Sequence, residues 1–537
     1  MAKKLRPSRI RVYKMKKGIL SLAVMTSLLL VSQIAHSQTF SDVSPSGHTL
    51  YYWVDEYCNT CTSAYLVYSP NSHGPWYDTI EVSAYHNYTG NLVIPATVSY
   101  NGHTYNVTSI EGECFINCAG LISVTFPSSL KTIDYSCFIN CTGLTSITIP
   151  SSVTYINYYA FKNCIGLATI NFNADSCYMY AQYGNNTYNH HVFSGCDNVS
   201  TINIGDNVRW VSPYAFQDCK NITNLTIGKN VETFYWNALA DTLNSLITVN
   251  YNAINMKVRS SQQYGSNYMG LFEGRANTLS SLTIGNDVEK IQGLSFRNCT
   301  NLTSVVFNAD SCTSVGYSEP AFSSCNNVTS FTFGNNVKVI PAYLCSHMEH
   351  LTTITLPNSV ISIGDNSFGN CTGLTSVIIP DATKYVYWSF PNCTGLQSVT
   401  IGSSVESMNY AFKGCNHLTT INVRAEYPPT CNEETFENVP AYADVMVPCG
   451  AKYRYEVTDY WRNFSRITED CDGIDGVEDD AIRVWADCGH IKVEGADGQA
   501  VRIFDMEGRM VTNGNLPTGV YMVKIGNHAA KKVVVIR

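Results

Sequence analysis

Phe115, Phe138 and Phe161 stand 23 residues apart, and each opens the same phrase. Phe138 to Ile156 carries it in its cleanest form, Phe-x-Asn-Cys-x-Gly-Leu-x-x-Ile-x-Ile-Pro-x-Ser-Val-x-x-Ile. Related units begin at Phe193, Phe216, Leu239, Phe272, Phe296, Phe322, Leu344, Phe368, Phe390, Phe412 and Phe436, about fourteen in all. A period in the twenties constrains the chain to a solenoid, because one unit cannot bury its apolar face without a neighbour. Within a unit, Leu144, Ile147 and Ile149 read as a short strand whose inward residues meet their counterparts in the next coil. Pro150 ends that strand, since it offers no ladder donor. The expected fold class is a β-rich solenoid of roughly 23-residue coils, with an N-terminal β cap and a small C-terminal β-sandwich. At about 4.8 Å per coil it makes a rod or arc of roughly 65–70 Å. Phe115, Phe138 and Phe161 are expected to stack as a spine, with Cys118, Cys141 and Cys164 as a ladder beside it.

The first 37 residues precede the repeat and differ from it in kind. Lys16 and Lys17 lead into an apolar stretch from Ile19 to Ile34, followed by Ala35-His36-Ser37. That order reads as a secretory signal peptide cleaved before Gln38, with Met15 a plausible true start. The apolar stretch is shorter than the roughly 20 residues of a membrane span. Whole-chain charge is −8, and residues 1–37 hold eight bases and no acid, so the remainder is more acidic still. Without a basic stripe, such a chain repels phosphate backbones, and nucleic-acid binding is set aside.

The phrase Leu-x-x-Ile-x-Ile-Pro-x-Ser-Val-x-x-Ile-x-x-x-Ala-Phe-x-Asn-Cys resembles the BspA-type leucine-rich repeat of bacterial surface proteins. The likeness covers residues 92–468, from Leu92-Val93-Ile94-Pro95 to a closing segment at Trp461-Arg462-Asn463-Phe464. Residues 38–91, with Leu50-Tyr51-Tyr52-Trp53, read as the β cap over the first coil. The resemblance implies adhesion to host proteins, other bacteria or surfaces; periodicity alone implies a scaffold. Carbohydrate capture by stacked tyrosines and a purely structural surface spacer are the alternative roles.

A second module ends the chain. Residues 469–481 are rich in acids and read as a solvated linker. Residues 482–537 read as a β-sandwich. Val501-Arg502-Ile503-Phe504-Asp505-Met506-Glu507-Gly508-Arg509 and Leu516-Pro517-Thr518-Gly519-Val520-Tyr521 resemble the sorting domain of type IX secretion cargo in Bacteroidota. That resemblance implies a secreted or cell-surface protein at the outer membrane of a Gram-negative bacterium.

Cysteine is the tempting chemistry, with 21 in the chain. Ten sit three residues after a repeat-head Phe, and one small side chain per coil reads as a buried free thiol. Cys58 and Cys61 form a lone Cys-x-x-Cys with no second pair for zinc, so a local disulfide in the cap is expected. Cys431, Cys449, Cys471 and Cys488 lie where export would permit bridging. Neither a nucleophile elbow, a zinc-protease motif, a phosphate loop nor a dinucleotide glycine pattern is present, and His347 and His350 match no zinc spacing. The expectation is no catalytic residue, metal or cofactor.

Two units run long, from Phe161 to Phe193 and from Leu239 to Phe272, and both carry tyrosines among Ser, Gly, Asn and Gln. Tyr178, Tyr180, Tyr183, Tyr264 and Tyr268 are therefore candidates for one shared ligand patch, a composition suited to paratopes. Packing of the same tyrosines against neighbouring coils is the alternative. The partners expected are host or bacterial surface proteins, or glycans.

Overall fold

The computed structural model describes residues 38–54, 63–67, 88–179, 191–239, 243–259, 270–273, 276–316, 320–470 and six stretches between 483 and 535. A solenoid of about fourteen turns of roughly 23 residues occupies most of the chain. Most turns contribute one longer strand to a major column and one two- or three-residue strand to a minor column, with isolated bridges such as Lys290–Ser314 and Ser407–Thr430 in place of a strand elsewhere.

The major column is parallel and strictly in register. Ser146–Ile149, Thr169–Phe172, Thr201–Ile204, Asn224–Ile227, Thr248–Tyr251, Ser281–Ile284, Ser304–Phe307 and Ser330–Phe333 form one eight-stranded sheet. Isolated bridges at Thr332–Thr355 and Thr353–Ser376 lead to a second sheet, which ends on Asp444–Pro448 and Arg466–Asp470. The second and fourth residues of these strands point inward, as Ile170 and Phe172 do opposite Ile147 and Ile149. One-residue slippage would turn this apolar set outward, so burial fixes the register.

Repeat-head phenylalanines stack between the columns. Phe115, Phe138, Phe161 and Phe193 follow one another with ring centroids 5.0, 5.2 and 5.3 Å apart and nearly parallel planes. The spine resumes over Phe368, Phe390, Phe412 and Phe436, and Trp461 closes it edge-on to Phe436 at 5.1 Å. Trp461 is fully buried and donates its indole N–H to the carbonyl of Pro429. In the tenth coil the register differs from expectation: Cys345, not Leu344, occupies the repeat-head position. Its amide donates to Ser367 as Phe368 donates to Ser389, and Leu344 fills the small-residue position before it.

At the N-terminus, Gln38–Val43, Thr49–Val54 and Ser63–Val67 form an antiparallel set. Ser63–Val67 then pairs in parallel with His103–Ile110, so the cap extends the minor-column sheet and covers its edge. At the other end, Arg466–Asp470 runs two residues into the stretch read as linker. The C-terminal module has its own core, with Val484 and Ile491 from a two-stranded sheet packed with Ile503, Tyr521, Val523 and Val535 from a four-stranded one. No helix among the described residues is long and apolar enough to cross a membrane.

Candidate ligand-binding surface

The ladder cysteines face inward and serve the backbone. Cys141, Cys164, Cys196, Cys325, Cys393 and Cys415 each donate a thiol to the carbonyl of the preceding coil's head phenylalanine at 3.0–3.2 Å. Burial pushes Cys325 and Cys371 up to about 12 and Cys312 up to about 11. Such thiols are neutral at physiological pH and are neither nucleophiles nor metal ligands. No group of three or more His, Cys, Asp or Glu among the described residues could hold a metal ion. His347 hydrogen-bonds Asn370 and His350 bonds the carbonyl of Asn326, both on the surface. Cys449 is disulfide-bonded, and every other described cysteine is free, so its partner lies outside the described residues. Cys58 and Cys61 also lie outside them.

Two positions adopt left-handed backbone in most described coils, and they differ in the residues that fill them. The position two after the repeat head holds Asn117, Asn140, Asn163, Gly195, Asn298, Asn370, Asn392, Gly414 and Asn438, the residues for which this conformation costs least, with Ser324 and His347 as exceptions. Side chains there form their own ladder, with Asn163 donating to Asn140 and Asn140 to Asn117. The position two before the head holds Glu113, Ser136, Leu294 and Asn366 in four coils and, in five others, the aromatics Tyr159, Tyr214, Tyr343, Trp388 and Tyr410, whose φ lies between 44° and 61°. Bulky side chains are costly in this region. Backbone economy accounts for the asparagines and not for the aromatics.

These aromatics group at two places. Tyr135 and Tyr158 stack at 5.7 Å, Tyr158 meets Tyr159 edge-on, and Lys162 lies over the Tyr159 ring. Further along, Trp388 stacks on Tyr410 at 5.6 Å while Tyr387 meets Tyr410 edge-on, and both Tyr387 and Trp388 are exposed. Sequence reasoning missed this feature, because the residue type at the position varies from coil to coil.

Of the five tyrosines predicted as a patch, Tyr178 is described and is 62% exposed. It sits on the minor-column strand Tyr178–Met179, in register with Tyr155, and meets Trp210 of the next coil edge-on at 4.8 Å. Tyr180, Tyr183, Tyr264 and Tyr268 lie outside the described residues. Beside this face runs a groove of about 770 Å³, where Arg209 pairs with Asp175.

The family model described as BspA type leucine rich repeat region (6 copies) matches residues 103–187, 179–270, 268–388 and 338–455. The chain belongs to this family. No curated protein matches it. Among solved structures, this BspA-type chain is similar to a leucine-rich repeat protein from Bacteroides ovatus at 16% identity and a TM-score of 0.33, covering 77% of this chain and 99% of that one. A leucine rich cell surface protein from Faecalibacterium prausnitzii is similar at 18% identity and 0.29, covering 75% and 99%. The pneumococcal vaccine antigen PcpA is similar at 13% and 0.26, covering 81% and 100%.

Proposed function

We propose that this BspA-type protein is an exported, surface-displayed scaffold for adhesion, engaging proteins or glycans on host or bacterial surfaces, and that it is not an enzyme. The observation that carries this reading is the contrast between its two left-handed positions. One is filled mostly as backbone energetics dictate, while the other carries an aromatic side chain in five coils, at a conformational cost of about 1–3 kcal/mol each. Strain of that kind, repeated along a face and paired with exposed Tyr387 and Trp388, supports a recognition surface. Tyrosine and tryptophan supply large, rigid contact area with few torsions to freeze.

Display is assigned to residues 482–537 acting as a type IX sorting module after the signal peptide has directed export. Support comes from the phrases around Gly508-Arg509 and Leu516–Tyr521. The test is antibody labelling of intact cells carrying the full chain or a form ending before residue 482. The full chain should label at the surface and the shortened form should accumulate, folded, in the periplasm. Equal labelling of both would overturn the assignment.

A further inference from the structure

The minor column presents an outward row whose chemistry changes along the solenoid. Tyr178 meets Trp210 at 4.8 Å, and Trp210 meets Tyr235 of the following coil at 6.0 Å. Tyr235 is in register with Arg259, and Thr233 with Lys257. Lys257 and Arg259 are two apart on one short strand and so share its outward face. Lys290, from the next coil, joins them in lining a pocket of about 440 Å³. Three aromatic rings thus lead directly into three cations, over four coil steps or about 19 Å.

The pocket is unusual for this chain. The protein has net charge −8, yet among the described residues no carboxylate lines this pocket. Among the described residues, Lys257, Arg259 and Lys290 form no ion pair, while the neighbouring Arg209 and Lys229 are bound to Asp175 and Asp287. The side-chain nitrogen of Gln292, which also lines the pocket, is buried and has no hydrogen-bond partner among the described residues. An acceptor from outside would satisfy that donor, whose desolvation otherwise goes uncompensated.

We propose that this face binds an acidic polysaccharide. Sugar rings lie against Tyr178, Trp210 and Tyr235, and carboxylate or sulfate groups sit among Lys257, Arg259, Lys290 and Gln292. The proposal rests on the adhesive reading above and names the chemistry of one partner. Pyranose rings present apolar C–H faces to aromatic side chains, and a coil step of about 4.8 Å is close to the advance per unit of an extended glycan. Free cations occur at one end of the row and not along the rings. That distribution suits a chain whose charged units are separated by neutral ones, and not a nucleic acid, which carries charge at every unit.

The experiment titrates the mature chain, residues 38–537, with oligosaccharides of hyaluronan and of keratan sulfate sulfated on N-acetylglucosamine alone, using tryptophan fluorescence and calorimetry. Dextran of similar length and an oligothymidylate serve as controls. At least one acidic glycan should bind, with affinity falling as salt rises, and dextran should not. The two arms separate carboxylate from sulfate as the recognised group. The double variant Lys257→Gln, Lys290→Gln should lose about tenfold in affinity without a change in melting temperature, since both side chains are exposed. Trp210→Ala should weaken binding several-fold. Should a variant fold poorly, protection of Lys257 and Lys290 from amine acylation by bound glycan in the unsubstituted protein gives an independent readout. Absence of binding by both glycans at low salt, undiminished affinity in the lysine variant, or oligothymidylate binding as tightly would each overturn the proposal. Any of those results leaves surface display and adhesion to other ligands, measured on whole cells, standing.

Discussion

The thiol of Cys164 donates to the carbonyl oxygen of Phe138, 3.1 Å away and one coil earlier. The same bond joins Cys141 to Phe115 and Cys393 to Phe368. It fits the recurrence of cysteine at this position: the side chain is small and apolar, and its thiol is a second donor to a buried carbonyl that already accepts a backbone amide from its own coil. Differential alkylation of the native protein should therefore find the ladder thiols reduced and protected, becoming reactive only on denaturation. The same map should find Cys449 oxidised. Pro448 pairs with Asp470 across the last two strands, so Cys471 is the expected partner. Quantitative bridging of Cys118 to Cys141, or a reactive native Cys164, would contradict this account.

Stability should depend on alkaline pH. Burial holds the protons of Cys177, Cys325 and Cys371 to about 12, against about 8.5 in the unfolded chain. The folded state binds more protons than the unfolded one between those values, so stability falls as pH rises through that window. The contribution is complete below about pH 8.5 and is lost towards pH 12. Thermal melts should be level from pH 7 to 8 and decline progressively above about pH 9. A level melting temperature up to pH 11 would mean that the thiols are solvated.

Phe161 tests the spine. It is fully buried between Phe138 and Phe193, so Phe161→Ala should cost about 3–5 kcal/mol in denaturant unfolding. Because each coil contacts only its neighbours, faster amide exchange should be confined to the adjacent coils. A cost below about 1 kcal/mol, or uniform loss of protection, would contradict a nearest-neighbour solenoid.

The repeat, its strands and the inward Phe and Cys were legible because every coil rebuilds the same environment around the same residue types. Degenerate coils were less so: Leu344 and Cys345 are both small enough to bury, and only hydrogen bonding to Ser367 fixes which is the repeat head. Tyr178 reads in sequence as the start of an insertion, yet it is paired with Tyr155 on the minor column, where the shared pattern Tyr155-Ile156 and Tyr178-Met179 was the available signal. The aromatic row at the left-handed position was hidden. Glu113, Ser136, Tyr159, Leu294 and Trp388 share a backbone conformation and no residue type.

Trp388 separates display from packing. It is 43% exposed with φ of 44°, and Trp388→Asn would relieve the backbone while removing one stack on Tyr410. The relief is about 1–3 kcal/mol and the lost stack about 1 kcal/mol, and they oppose each other, so the melting temperature should not fall. Adhesion through this cluster should nonetheless fall. A large loss of stability would make Trp388 a packing residue.

Beads coated with the mature chain, applied to a panel of immobilised host-cell and bacterial surfaces, test the adhesive reading most directly. The comparison is a stable variant carrying Tyr178→Ser, Trp388→Asn and Tyr410→Asn. The account predicts that the unsubstituted chain holds beads to at least one surface, and that the variant holds markedly fewer. Adherence no greater than that of uncoated beads on every surface would contradict it.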